Sequence, residues 1–119
     1  MEYAILLYVP SDIEAEPGSP EWEQCLPAHR AVGQAAAEAG YNPGGRALHA
    51  ARGATTLRVR DGERLLTDGP FAETKEQLWG FLTVDAPDLD AVIELAGGLW
   101  EAEHGSVEIR PIAPVQQPA

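Results

Sequence analysis

Two predicted β-strands carry apolar side chains on both of their faces, which limits the architecture that this chain can adopt. Residues 3–9 (YAILLYV) are rich in strand-forming side chains and stop at Pro10, and residues 78–84 (LWGFLTV) have the same character. Neither segment shows the apolar–polar alternation of a strand that has one solvated face. A sheet that contains these strands must therefore be covered on both sides.

Two helices are predicted, and they can cover only one side of such a sheet. Ser19 and Pro20 suit the N-cap and the first position of a helix, and Pro27 predicts a break after which the main segment runs to residue 39. Pro87 and Asp88 open the second helix. Its predicted buried stripe is Leu89, Val92, Ile93 and Ala96, with Leu99 and Trp100 as further candidates. The simplest cover for the other face is a second copy of the chain, which predicts a homodimer whose sheets face each other.

The remaining strands include a β-hairpin. Residues 55–60 and 63–67 flank the pair Asp61-Gly62, which strongly favours a two-residue hairpin turn. Residues 46–49 and 107–109 predict two shorter strands. The order is βαββαβ with an extra hairpin, an α+β fold with an antiparallel sheet. The length of 119 residues fits one domain, and residues 113–119 are predicted to be a flexible C-terminal tail.

The charge of the chain argues against several classes of partner. Eight Lys and Arg residues against 19 Asp and Glu residues give a net charge of −11. This predicts no nucleic-acid partner and no binding to an anionic membrane surface, because both need clustered cations. Cys25 alone forms no intrachain disulfide, the apolar runs are too short for a membrane span, and the start has no signal-peptide pattern. We therefore expect a cytoplasmic protein.

The sequence also lacks the usual motifs of bound groups. The pair Gly44-Gly45 is not part of a phosphate-binding loop, and the three histidines do not have zinc-site spacing. We therefore predict no cofactor and no metal.

The segment Asp68-Gly69-Pro70-Phe71 and the residues up to Leu78 resemble the signature of the YCII-related, DGPF-motif proteins. Further matching pieces are Leu6-Leu7-Tyr8, Ala28-His29-Arg30, Gly44-Gly45 and residues 55–58. The resemblance implies one YCII-related (DGPF) domain over residues 1–112, with a ferredoxin-like fold of the dimeric α/β-barrel type. Many members are encoded beside sigma factors of the extracytoplasmic-function type, which implies a sigma-factor-related protein as a partner.

His29 and Asp68 are the candidate catalytic residues, since the resemblance implies a His–Asp active site. His29 shares helical spacing with Leu26 and Val32 and is therefore expected to face the sheet. A neutral histidine acts as a general base when a carboxylate holds its other ring nitrogen. Such a pair removes a proton next to a carbonyl or activates a water, which is the chemistry of a small lyase, isomerase or hydrolase.

Both residues also have a structural interpretation. His29 can be a core histidine bonded to a backbone carbonyl, and Asp68 can cap a turn by accepting the N–H groups of Phe71 or Ala72. In that case Phe71 anchors the loop. The predicted function is a homodimeric small-ligand-binding or regulatory module, with the enzyme as the alternative. Lys75 would be the cation for an anionic ligand, and the predicted ligand-binding residues are Tyr8, Arg46, Phe71, Lys75 and Trp79.

Overall fold

In the computed structural model, which describes residues 1–114, four strands form one antiparallel sheet. The strands of this sheet are β1 (Glu2–Pro10), β2 (Gly44–Ala47), β5 (Glu76–Asp85) and β6 (Ser106–Pro111). Their order is β2-β5-β1-β6, which is the ferredoxin-like order once the inserted hairpin is set aside. The predicted α+β class with an antiparallel sheet is therefore confirmed. Residues 115–119, most of the predicted tail, lie outside the described residues.

The core lies between one face of the sheet and three helices. These are α1 (Pro20–Glu38), α2 (Leu89–Ala96) and α3 (Trp100–His104). Along β1 the buried residues alternate, with Ile5, Leu7 and Val9 toward the helices and Leu6 and Tyr8 half-buried on the opposite face. This alternation places apolar side chains on both sides of the central strand, as the sequence predicts. Among the described residues, no helix has both the length and the apolar character needed to cross a membrane.

The helix boundaries follow local signals, although two expectations about the helices are wrong. Ser19 caps α1 by accepting a hydrogen bond from the N–H of Trp22 at 3.3 Å, as predicted. Pro27, however, lies inside a continuous helix rather than at a break. Proline removes one hydrogen bond from the helix, and the buried side chains on both sides of Pro27 keep α1 packed on the sheet.

The second helical region is also divided differently from the prediction. Asp88 caps α2 by accepting from the N–H of Ala91 at 2.9 Å. Val92 and Ala96 are buried as expected, whereas Leu89 and Ile93 are about half exposed. The chain then ends α2 at Ala96 and begins the short helix α3, which sequence periodicity did not predict.

The hairpin forms a separate two-stranded sheet. Its strands are β3 (Thr55–Arg60) and β4 (Glu63–Asp68), joined by Asp61 and Gly62 at φ angles of 51° and 77°. Both angles are positive, as a type I′ turn requires. The hairpin is inserted between β2 and β5, two strands that pair with each other in the main sheet. The predicted hairpin is thus confirmed, and it leaves the sheet before the chain returns through β5.

Candidate functional site

The only buried acidic side chain that the described core contains is Glu101, and it is paired with His29. His29 lies on the inward face of α1 and Glu101 on α3, which contacts α1. The distance from His29 Nε2 to Glu101 Oε2 is 2.6 Å. The Glu101 side chain is completely buried, whereas His29 keeps 15% of its side-chain surface exposed. The pair therefore connects the interior of the core to a point that solvent reaches.

Aromatic side chains surround this carboxylate. The indole N–H of Trp79 donates to the same oxygen, Glu101 Oε2, at 2.8 Å, and Trp79 is itself fully buried. Trp22 packs edge-on against Trp79 at a centroid distance of 5.2 Å, and Trp100 stacks on Trp79 at 5.8 Å. Hydrogen bonds to an ionised acceptor are strong in such a dry environment. The other oxygen, Oε1, has no hydrogen-bond partner among residues 1–114.

Cys25 completes the cluster but is not prepared to act as a nucleophile. Its sulfur lies 4.0 Å from His29 Nδ1, and the thiol donates to the backbone carbonyl of Trp22 at 3.0 Å. Burial, together with the nearby Glu101 charge, raises the pKa of the Cys25 thiol to about 12. The reactive form of cysteine is the thiolate, so a thiol held protonated at neutral pH is inert.

The cluster also contains the atom types of a metal site. One ligand atom from each of Cys25, His29 and Glu101 lies within 4.8 Å of the others. However, the Nε2–Oε2 distance of 2.6 Å is that of a hydrogen bond and leaves no space for an ion between the two atoms. Glu101 Oε2 also already accepts from Trp79. The geometry therefore favours a shared proton over a metal ion at this position.

His29 borders a small pocket of about 200 Å³ beside the edge strand β2. Its ionisable residues are His29 and Arg46, and the rest of its wall is mostly apolar. The wall residues are Leu7, Trp22, His29, Gly45, Arg46, Ala47, Gly80, Phe81 and Leu82. The wall thus contains one imidazole, and at its strand edge lies Arg46, whose register partner is Phe81 and whose guanidinium donates to the Gly45 carbonyl at 2.6 Å.

A larger groove of about 900 Å³ lies at the base of the hairpin and contains other predicted residues. Tyr8 and Phe71 both line it. Burial and the neighbouring Glu108 carboxylate raise the pKa of Tyr8, whose hydroxyl donates to Glu108 at 3.2 Å. At one side, a hydrogen bond with His49 at 2.7 Å lowers the pKa of Glu16, which also accepts from a backbone N–H of this wall. The groove is therefore polar at its rim and apolar at Phe71.

The five predicted ligand-binding residues are thus not brought together in one place. Arg46 lines the small pocket with His29, and Tyr8 and Phe71 line the larger groove. Trp79 lies behind His29 as a buried donor, and Lys75 is exposed immediately before β5. The structure therefore divides the predicted set between two cavities.

The expected pair of His29 and Asp68 does not form in this chain, where the carboxylate partner of His29 is Glu101. Asp68 is exposed at the end of β4, in the sheet that does not include β1 or β5. The alternative, a histidine bonded to a backbone carbonyl, is also wrong, since a carboxylate holds His29. His29 thus faces the core from α1, whereas the fold places Asp68 in the separate sheet of the hairpin.

The loop after Asp68 is held by groups other than those predicted. The N–H of Gly69 donates to the carbonyl of Ala54 at 2.6 Å, and Thr56 Oγ1 donates to the carbonyl of Gly69 at 2.8 Å. The guanidinium of Arg58 donates to the carbonyl of Phe71 at 3.2 Å. Phe71 is 76% exposed, so its ring does not anchor the loop as expected. The motif instead closes the base of the hairpin through backbone contacts.

Glu101 is the functional candidate that sequence analysis missed. The sequence signal that points to Glu101 is the presence of two predicted buried hydrogen-bond donors with no predicted acceptor. A buried tryptophan N–H normally finds an acceptor, and a histidine facing a core needs a partner as well. Trp79 and His29 therefore jointly required a buried acceptor, and Glu101 is an acid between apolar positions after Gly97-Gly98.

Comparison with known proteins gives two matches. The sequence model of the family described as the YCII-related domain matches residues 1–116. An uncharacterised protein of Rhizobium meliloti (strain 1021) is 38% identical over 115 residues, which cover 95% of this chain and 93% of that protein. Both matches extend over nearly the whole chain.

Proposed function

This chain belongs to the YCII-related domain family, and from that premise we propose that it binds a small carbonyl acid beside His29 and transfers a proton there. The observation that carries the proposal is that one residue, His29, both borders a pocket and shares a hydrogen bond with a buried carboxylate. A carboxylate in this position fixes the tautomer and orientation of an imidazole and stabilises its protonated form. Glu101 therefore has the positioning role and His29 the acid–base role.

The acid–base atom in this proposal is Nδ1 of His29. When Nε2–H donates to Glu101, the neutral ring keeps its lone pair on Nδ1. The Cys25 thiol does not donate to that lone pair, because its sulfur is 4.0 Å away and its proton is directed to the Trp22 carbonyl at 3.0 Å. A proton accepted at Nδ1 gives an imidazolium whose charge faces the Glu101 carboxylate through the opposite nitrogen.

The pocket defines the class of molecule. A volume of about 200 Å³ corresponds to roughly six or seven water molecules at about 30 Å³ each, so the ligand is compact. Arg46 is exposed at the strand edge of this wall, and we expect its guanidinium to turn from the Gly45 carbonyl toward a ligand carboxylate, while the apolar remainder of the wall suits a short carbon chain. We therefore assign a short keto acid, whose C–H next to the carbonyl is acidic enough for a histidine base.

Hydrogen–deuterium exchange tests this proposal without knowledge of the final product. Pyruvate and 2-ketobutyrate in D2O are followed by proton NMR, and the protein is expected to accelerate loss of the C–H signals next to the carbonyl. His29→Asn is expected to abolish the acceleration and Glu101→Gln to reduce it. Glu103→Gln, which changes an exposed acid on the same helix, is the control and keeps the wild-type rate. Equal exchange with wild type and His29→Asn contradicts the proposal.

The larger groove favours a second candidate function, ligand binding without turnover. The supporting observation is the 76% exposure of Phe71 on a groove of about 900 Å³, since a large aromatic side chain is costly to leave in water. A hydrophobic dye such as 1-anilinonaphthalene-8-sulfonate is expected to fluoresce in this groove. Phe71→Ala removes that signal and His29→Asn retains it, and the reverse pattern would exclude the groove as the binding site.

We also propose that the protein is a homodimer through the face of the sheet that the helices leave uncovered. Leu6, Leu78 and Phe81 lie on that face, where register pairs Leu6 with Phe81, and all three are only half-buried. Apolar side chains on a second sheet face are typical of an interface between identical chains. Sedimentation at micromolar concentration is expected to give twice the chain mass of 12.7 kDa. A stable monomer under those conditions refutes the dimer.

A further inference from the structure

We infer that the β3–β4 hairpin is an arm that packs its apolar face on a second copy of this chain. The inference rests on the proposed homodimer. It adds the hairpin to an interface that would otherwise consist of the uncovered sheet face alone. It also implies that the larger groove is completed by the partner copy.

The hairpin is unusually isolated from the rest of its own chain. Among the described residues, β3 and β4 pair with each other and join no strand of the main sheet. Every residue of β4 is exposed. The radius of gyration is 16.2 Å, whereas a compact domain of 119 residues is expected at about 13.5 Å. An isolated two-stranded hairpin is at best marginally stable in water, so this one needs a surface to pack on.

The two faces of the hairpin differ in polarity. Leu57 and Leu66 are register partners, and Val59 follows on the same face two residues further along β3. Their exposures are 56%, 66% and 57%. The opposite face carries Arg58 and Arg60 and has Leu65 as its large apolar side chain. Leu57, Val59 and Leu66 thus form an apolar patch next to Arg64, the register partner of Val59, and the described chain does not cover this patch.

Charge favours a second copy as the occupant. The whole chain has a net charge of −11, but residues 55–68 contain three arginines and three acids and are balanced. A neutral arm can lie on the acidic body of another copy without the repulsion that two acidic surfaces experience. The same body offers the half-buried apolar face of β1 and β5, and two-fold symmetry makes each contact twice.

The base of the arm is joined to the larger groove. Tyr8 and Leu78 form the sheet side of this groove, and Pro70 and Phe71 form its other side. The hydrogen bond from Arg58 to the Phe71 carbonyl connects β3 directly to the groove loop. When the arm lies on the partner, the position of this loop is fixed and the groove gains a wall. Dimer formation and ligand binding in the groove are therefore coupled.

Two neighbouring leucines give a matched test. Leu66→Asn places an amide on the apolar face of β4. Leu65→Asn makes the same substitution at the neighbouring residue, whose side chain lies on the opposite face. Dilution series of both variants and wild type are followed by sedimentation velocity, with near-ultraviolet circular dichroism of the tryptophan cluster as the check on folding. Leu66→Asn is expected to weaken dimerisation by about tenfold or more, because each protomer loses one buried leucine contact, whereas Leu65→Asn stays near wild type.

The outcomes separate this inference from the homodimer itself. If wild type is monomeric at micromolar concentration, the homodimer is refuted and the arm has a different partner, which overturns the inference as well. If wild type is dimeric and Leu66→Asn dimerises equally well, the dimer stands and the arm contact is refuted. If both variants weaken the dimer to the same degree, the assignment of the apolar face as the contact is wrong.

Discussion

Replacing Glu101 with alanine removes the acceptor that two buried donors share. The carboxylate accepts from His29 Nε2 at 2.6 Å and from Trp79 Nε1 at 2.8 Å. Each hydrogen bond to a charged group contributes about 1.5–3 kcal/mol, and the cost of burying the carboxylate offsets part of that gain. Because Trp79 is left as an unpaired buried donor, we expect Glu101→Ala to lose about 3–5 kcal/mol of unfolding free energy. That is a large part of the roughly 5–15 kcal/mol that stabilises a typical domain.

Urea unfolding followed by circular dichroism measures this loss, and thermal unfolding gives a second value. With an unfolding entropy of about 2.1 cal/mol/K per residue, the expected fall in Tm is roughly 12–20 °C. Glu101→Gln retains one acceptor oxygen and is expected to lose about half as much free energy. Glu103→Ala, an exposed position on the same helix, is expected to stay within about 0.5 kcal/mol of wild type. If the urea midpoint of Glu101→Ala equals that of wild type, the carboxylate does not hold these two donors. The orientation of His29 then has another cause.

Two further predictions concern a thiol and a glycine. Because burial raises the pKa of Cys25 to about 12, native protein at pH 8 is expected to react very slowly with Ellman's reagent and rapidly in urea. The raised pKa also means that the protonated thiol stabilises the fold fully below pH 9 and progressively less as pH rises toward 12, a decline that Cys25→Ala should lack. A Cβ at Gly105 would lie 2.0 Å from the Tyr8 carbonyl oxygen, so Gly105→Ala is expected to cost about 3 kcal/mol in thermal unfolding. Gly33→Ala meets open space within α1 and is expected to gain about 0.5–1 kcal/mol, and equal effects of both substitutions would contradict the packing at Gly105.

The parts of the fold that follow from the sequence depend on neighbouring residues. The Ser19 cap and the Asp61-Gly62 turn involve contacts within three residues, and both form as predicted. Pro27 shows the limit of local rules, because long-range packing of α1 outweighs one missing helix hydrogen bond. The predicted strand at residues 46–49 forms instead at Gly44–Ala47, since its register is set by pairing with β5 rather than by its own composition.

The candidate site was half predictable for the same reason. Helical spacing placed His29 on the inward face of α1, but its partner lies 72 residues away on a helix of five residues. No periodicity is measurable in so short an element. Asp68 belongs to the more conspicuous motif, yet the hairpin that carries it leaves the main sheet. A motif identifies related chains well, but only the topology shows which side chains meet.

The second apolar sheet face and the charge of −11 act in opposite directions on self-association. Apolar burial drives two copies together, whereas their like charges repel over a distance that salt shortens to about 8–10 Å at ionic strengths of 0.1–0.15 M. A dimer held mainly by leucine and phenylalanine contacts should therefore tighten as salt is added. A dimer held by the arginines of the hairpin against the acidic body should loosen, because salt screens that attraction equally well. Whether added salt strengthens or weakens the dimer in sedimentation experiments therefore shows which face of the arm makes the contact. We expect added salt to strengthen the dimer.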